Sequence, residues 1–226
     1  MKKTKRAKKS RTWVIKQHRD QFFKKAKVLG YKSRAAFKLI ELNKKFNFIK
    51  KNSNLLDVGS APGGWSQVAS KIITNGKILA VDITPMEKID NVIFLNNNFL
   101  EEKTQENILK IFETKIDVVI SDMAENTTGN KSVDSIRTNN LCSEVISFSL
   151  KILNSKGTLI CKLFMGEDFL EVKNKAKSNF KKVDFFKPES SRNESKETYI
   201  ICSALKTLMK SKLCMFLLIH FYLIQV

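Results

Sequence analysis

From residue 54 onward, short apolar runs alternate with stretches of helical spacing, and this alternation narrows the available folds more than any other feature. NLLDVG, KILAVDI, NVIFLNN, KIDVVISDM and GTLICKLFM are rich in β-branched and aliphatic residues. Strands buried on both faces of a parallel sheet have that composition. Helices are expected between them, near 64–74, 101–113, 135–153 and 167–179. The order predicts an α/β fold: a mostly parallel, doubly wound, Rossmann-like sheet with helices on both faces. KKVDFFKP and ETYIICSAL, separated by a polar stretch without helical period, predict a closing antiparallel hairpin. Upstream, 13–28 and 33–47 have helical spacing, with Ser33 as a candidate N-cap for the second helix.

Ligands of such sheets bind beyond the carboxyl ends of the strands, where strand order reverses. The stretch LLDVGSAPGGWSQ, residues 55–67, ends a strand at such a place. It lacks the Gly-Lys-Ser/Thr ending of a P-loop, and Gly59, Gly63 and Gly64 do not space as G-x-G-x-x-G. Gly59 can take a positive φ, Gly63 and Gly64 let a flat group approach the backbone, and Pro62 removes one amide donor. The next strand ends in Asp82, a carboxylate placed to receive paired ribose hydroxyls. The two features together favour an adenosine-type ligand without a pyrophosphate, and S-adenosyl-L-methionine has that chemistry.

Charge is concentrated at the start of the chain. Residues 1–51 hold nineteen lysines and arginines against Asp20 and Glu41, which is +17 of the formal +19. A block of this kind is an electrostatic footprint for a polyanion, and nucleic acid is the favoured partner. Charge alone does not separate rRNA from tRNA or DNA. Cys142, Cys161, Cys202 and Cys214 show no C-x-x-C spacing and have two histidines to join them, which argues against a zinc site or a disulfide framework. Residues 213–226, LCMFLLIHFYLIQV, are apolar but shorter than the about 20 residues of a bilayer span. A docked helix or strand, a membrane-interface segment and an unrelated extension all stay open for them.

LLDVGSAPGGWSQ is similar to the first motif of the FtsJ/RrmJ (RlmE) family of ribosomal RNA 2′-O-methyltransferases. SRAAFKL at 33–39, VDITPM at 81–86, SDMAENTTG at 121–129, CKLFMGE at 161–167 and KPESSRNESKETYI at 187–200 resemble further family segments in the same order. The resemblance spans about residues 11–205 and divides the chain into a basic extension (1–30), a methyltransferase domain (31–206) and an apolar tail (207–226). It implies a cytoplasmic, monomeric enzyme that uses S-adenosyl-L-methionine, needs no metal, and acts on large-subunit rRNA or the assembled large subunit. The expected target is the 2′-hydroxyl of a uridine in the A-loop.

Through the same resemblance the family's Lys-Asp-Lys-Glu tetrad falls on Lys38, Asp122, Lys162 and Glu197. Gly63 and Trp65 would contact the cofactor through the turn, Asp82 would hold its ribose, and Asp122 would lie close to the methyl donor. Asn98 stands where the family usually has an acidic residue near the adenine, and Glu125 where proline is common. A 2′-hydroxyl is a weak acid, so its attack needs a proton acceptor. Lys162 is expected to accept that proton, with burial and the second cation Lys38 lowering its pKa, while Asp122 and Glu197 orient the lysines and the substrate. A tRNA 2′-O-methyltransferase of the same fold and a non-catalytic ribosome-assembly factor are the competing readings.

Overall fold

A computed structural model describes residues 20–206 apart from 126–127, 167 and 193. Expectations for the first nineteen residues, for Glu167 and for the apolar tail at 207–226 fall outside the described residues.

Two helices, α1 (Gln21–Val28) and α2 (Ala35–Phe46), lead into the sheet. Asp20 caps α1 by accepting from the Phe22 and Phe23 amides, and the Phe22 ring packs 5.5 Å from that of Phe37 on α2. Ser33 does not cap α2: Arg34 holds the cap position, and the Ser33 hydroxyl is buried without a partner. The Ser33 side chain instead fills the tight contact with the next helix, where a Cβ on Gly64 would come within 2.2 Å of its oxygen.

The sheet follows in the expected alternation. It runs β1 (Leu55–Val58), α3 (Gly64–Ile72), β2 (Ile78–Asp82), β3 (Val92–Asn96), α4 (Glu102–Phe112), β4 (Ile116–Ser121), α5 (Lys131–Ile152), β5 (Leu153–Phe164), α6 (Phe169–Asn179), β6 (Phe180–Phe186) and β7 (Glu197–Leu205). The seven strands lie in the order β3-β2-β1-β4-β5-β7-β6. The first five are parallel, and β7 runs antiparallel to both neighbours. The closing pair is therefore not a simple edge addition, because the last strand is inserted between β5 and β6.

One face of the sheet is covered by α2 and α3, through Leu39, Leu42, Trp65 and Val68. The other is covered by α4, α5 and α6, through Ile108, Phe112, Val145, Ile146 and Val172. β1 is buried throughout and β2 as far as Val81, whereas β3 is an edge strand with Ile93 44% exposed, so its apolar run is not covered on both faces. Helix α5 begins earlier than its periodicity indicates, because Asn130 caps it by accepting from Ser132 and Val133. The order of strands reverses between β1 and β4, and that crevice opens beyond their carboxyl ends.

Candidate active site

A cavity of about 570 Å3 occupies this crevice, walled by Gly59, Ala61 and Pro62 after β1, by Asp82 and Ile83 after β2, by Asn98 and Phe99 after β3, and by Asp122 and Met123 after β4. Gly59 is required here. It has φ 75°, and a Cβ would lie 1.9 Å from the Met123 side chain, so glycine lets the first turn close onto the loop after β4. Three carboxylates (Asp82, Asp122 and Glu125) line the cavity, and no lysine, arginine or histidine is among its lining residues. In a chain of formal charge +19 this is an acidic enclave, suited to a cationic ligand and hostile to a phosphate.

Asp82 is held at the cavity wall by the turn it serves: Oδ2 accepts from the Ala61 amide at 2.9 Å and Oδ1 from the Thr84 amide at 2.7 Å. Each oxygen keeps a further lone pair for a hydroxyl donor. Asn98 lines the cavity from the loop after β3, its Oδ1 accepting from the Leu100 amide at 3.0 Å. Gly63 and Trp65, expected beside the cofactor, do not line the cavity. Trp65 is 2% exposed, donates its indole N–H to the Ala35 carbonyl at 2.8 Å and packs on the Tyr199 ring. A Cβ on Gly63 would meet Ile89, Met86 and Lys32. Only the backbone at the start of α3 is left to these two residues for any role toward a ligand.

Behind the turn, Asp57 is 1% exposed and accepts from the Ser66 hydroxyl at 2.6 Å. Burial, with the nearby charges of Asp122 and Asp82, pushes its pKa up to about 7 against the pull of that hydrogen bond. Sequence reasoning assigned no part to this carboxyl.

At the far side of Asp122 four charged side chains from separate elements meet: Lys38 of α2, Asp122 after β4, Lys162 of β5 and Glu197 of β7. Lys162 Nζ lies 2.7 Å from Asp122 Oδ1 and 3.7 Å from Glu197, and it also donates to the Asp122 carbonyl at 2.8 Å. Lys38 Nζ lies 2.8 Å from Glu197 and 3.7 Å from Asp122. The cations and anions thus alternate around one ring. Register explains the meeting: β7 places Tyr199 opposite Lys162 and Glu197 opposite Phe164.

Two further members went unnoticed in the sequence. The Tyr199 hydroxyl donates to Asp122 Oδ1 at 2.6 Å, and the Ser191 hydroxyl donates to Glu197 Oε1 at 2.7 Å. The available signal was the alternation of β7, which puts residues 197 and 199 on one face.

The electrostatics reverse one expectation. Burial does pull Lys162 down, but Asp122 and Glu197 more than offset it, and its pKa stands above the ordinary 10.5. Asp122 shows the counterpart: burial would raise it, yet Lys162, Lys38 and the two side-chain hydrogen bonds hold it below the ordinary carboxylate value. In the free protein Lys162 is an ammonium. The sequence argument counted one neighbouring cation and not the two anions.

Residues 31–205 match the family of FtsJ-like methyltransferases. The chain is 42% identical to the ribosomal RNA large subunit methyltransferase E of Pelagibacter ubique, over 87% of this chain and 97% of that protein. It is 45% identical to the protein of that name in Rickettsia akari, over 87% and 89% respectively. Among solved structures it resembles a Plasmodium falciparum chain described as a ribosomal RNA methyltransferase, with TM-score 0.70 and 33% identity, covering 77% of this chain and 98% of that one. Its fold is also that of human methyltransferase-like protein 13, with TM-score 0.54 at 16% identity over 77% and 81%.

Proposed function

The chain belongs to the FtsJ-like methyltransferase family, whose methyl donor is S-adenosylmethionine, and from that premise we propose that it methylates the 2′-hydroxyl of a uridine ribose in the A-loop of large-subunit rRNA. The observation that carries this reading is the sharing of Asp122 between the acidic cavity and the Lys38–Asp122–Lys162–Glu197 ring. A donor pocket and a proton-handling cluster meet at one carboxylate. The rRNA substrate is favoured by the names of the two bacterial relatives and by the +17 carried in residues 1–51.

The cavity residues fit the donor. Asp82 has acceptor capacity for ribose hydroxyls, and Asn98 lies where a ring amine could be met. Phe99, Ile83 and Leu141 give apolar wall, and the carboxylates suit a positively charged ligand. When bound, the donor supplies an electrophilic methyl group on a sulfonium.

The chain's own residues handle the proton. Lys162 must lose its charge before it can accept one, and the ring shows how that is governed. Asp122, which holds Lys162 charged, is also a wall of the cavity. Positive charge brought into that cavity repels the Lys162 ammonium and lowers its pKa, which is the change a base requires. Its own proton released to water, Lys162 then takes the 2′-hydroxyl proton, and the ring returns to two lysines set against two carboxylates. Tyr199 and Ser191 fix the carboxylates so that the lysines do not wander, and positioning supplies much of the rate.

Purified protein incubated with methyl-labelled donor and ribosomal subunits, free rRNA or tRNA tests this reading. Label is expected in a uridine of large-subunit rRNA, with a rate that falls steeply as salt rises. Label in tRNA, or no label in any RNA, overturns it.

A further inference from the structure

A second cavity, of about 380 Å3, opens where the ends of β5 and β6 meet the start of β7. Its surface is largely aromatic. Phe169, Phe185, Phe186 and Met165 line it, with the Phe169 and Phe185 rings 4.9 Å apart and Met165 49% exposed. Its rim is cationic: Lys187 and Lys196 line it. Among the described residues, Glu197 is the one acidic residue lining it, and that carboxylate is already held by Lys38 and Ser191.

Aromatic faces edged by lysines make a platform for an unstacked base with its phosphates, and a purely apolar partner would gain nothing from the rim. The platform is also continuous with the tetrad. Glu197 belongs to both, and its strand partner Phe164 lies two residues beyond Lys162, roughly 7 Å along the strand. We propose that this groove receives a nucleobase flanking the reacting ribose in the RNA strand, and so positions that ribose at Lys162. This rests on the RNA-methylating function proposed above.

The test measures binding of the full-length protein, without methyl donor and at fixed salt, to a short labelled oligouridylate and to the same strand with abasic riboses. The wild type is expected to prefer the base-bearing strand roughly 5- to 100-fold, the range that stacking on one or two aromatic residues gives. Phe169→Leu keeps apolar bulk against Phe185 but removes the ring face. It is expected to erase most of that preference and to leave abasic-strand affinity unchanged, with an unchanged thermal melt showing that the variant is folded. Phe169→Ala is expected to do the same. No base preference in the wild type, or an undiminished one in Phe169→Leu, overturns the proposal. Because methyl transfer to rRNA is scored separately, a wild type that methylates but shows no base preference refutes the groove alone. A wild type that transfers no methyl group refutes the enzymatic reading instead.

Discussion

The cavity and the tetrad touch at Asp122, yet they are built in opposite ways. The cavity is assembled from consecutive strand ends, each of β1, β2, β3 and β4 adding the few residues that follow it. Its charge is one-sided, with three carboxylates and no cation among the described residues of its walls. The tetrad draws single side chains from residues 38, 122, 162 and 197 and is balanced, two lysines against two carboxylates. A one-sided cavity selects a ligand by charge. A balanced ring keeps buried charges tolerable and lets a small change in the field decide which of them keeps its proton.

The sharpest way to separate the two regions is Lys162→Ala. It is expected to lower methyl transfer about 10²- to 10⁴-fold, the worth of a positioned proton acceptor. Binding of the demethylated product, measured by calorimetry, should stay within a few-fold, since Lys162 does not line the cavity. Substantial turnover in this variant would remove Lys162 from its role.

The next largest effect is on stability and belongs to the carboxyl behind the cavity. Asp57 titrates near 7 in the fold against an ordinary 3.8, so below 3.8 it carries no penalty, and the cost of keeping it buried grows until about pH 7. Asp57→Asn is therefore expected to be more stable than the wild type at pH 8, by at most on the order of 4 kcal/mol. Thermal melts should show that advantage shrinking as pH falls toward 4. An advantage independent of pH would mean that the carboxyl is ionised at no cost.

Asp82→Ala should act on the cavity alone. Cofactor affinity is expected to fall about 10- to 100-fold, because the substitution also leaves the Ala61 and Thr84 amides without their acceptor. The pH dependence of transfer at saturating cofactor should not move, since Asp82 has no bond to the tetrad. A displaced pH profile would show that the two regions are coupled beyond Asp122. Asn98→Ala is the mildest of the set, an expected loss of about 2- to 10-fold in cofactor affinity for one uncharged hydrogen bond.

How far each region could be read in the sequence follows from the same contrast. The strands were legible because their burial demands unbroken aliphatic runs, and ETYIICSAL corresponds residue for residue to β7. The turn at Gly59 and the carboxylate Asp82 were legible because a local backbone need and its residue lie together. The edge position of β3 was not, since its composition matches that of the central strands and only strand order leaves Ile93 in solvent. That the Trp65 ring turns into the core, where its indole N–H meets the Ala35 carbonyl, was not legible, because it depends on α2 lying beside α3. The direction of the Lys162 shift was missed although Asp122 and Glu197 were already set beside it, because residue order carries no distances, and it is their approach to 2.7 and 3.7 Å that lets two anions outweigh burial. Tyr199 and Ser191 were missed because each is an ordinary strand or loop residue until Asp122 and Glu197 are set beside it.

The insertion of β7 between β5 and β6 also imposes a timetable on synthesis. Every described residue that walls the cavity has been made by Leu141, whereas Glu197 and Tyr199 arrive with the last strand of the sheet. A chain emerging from its N-terminus has made every strand that walls the cavity before β7, which pairs with β5. Without that strand, Lys162 faces Asp122 with no Glu197 beside it. The ring of four charges is therefore the last feature of the site to be completed, and its completion waits on the pairing of the final strand with β5.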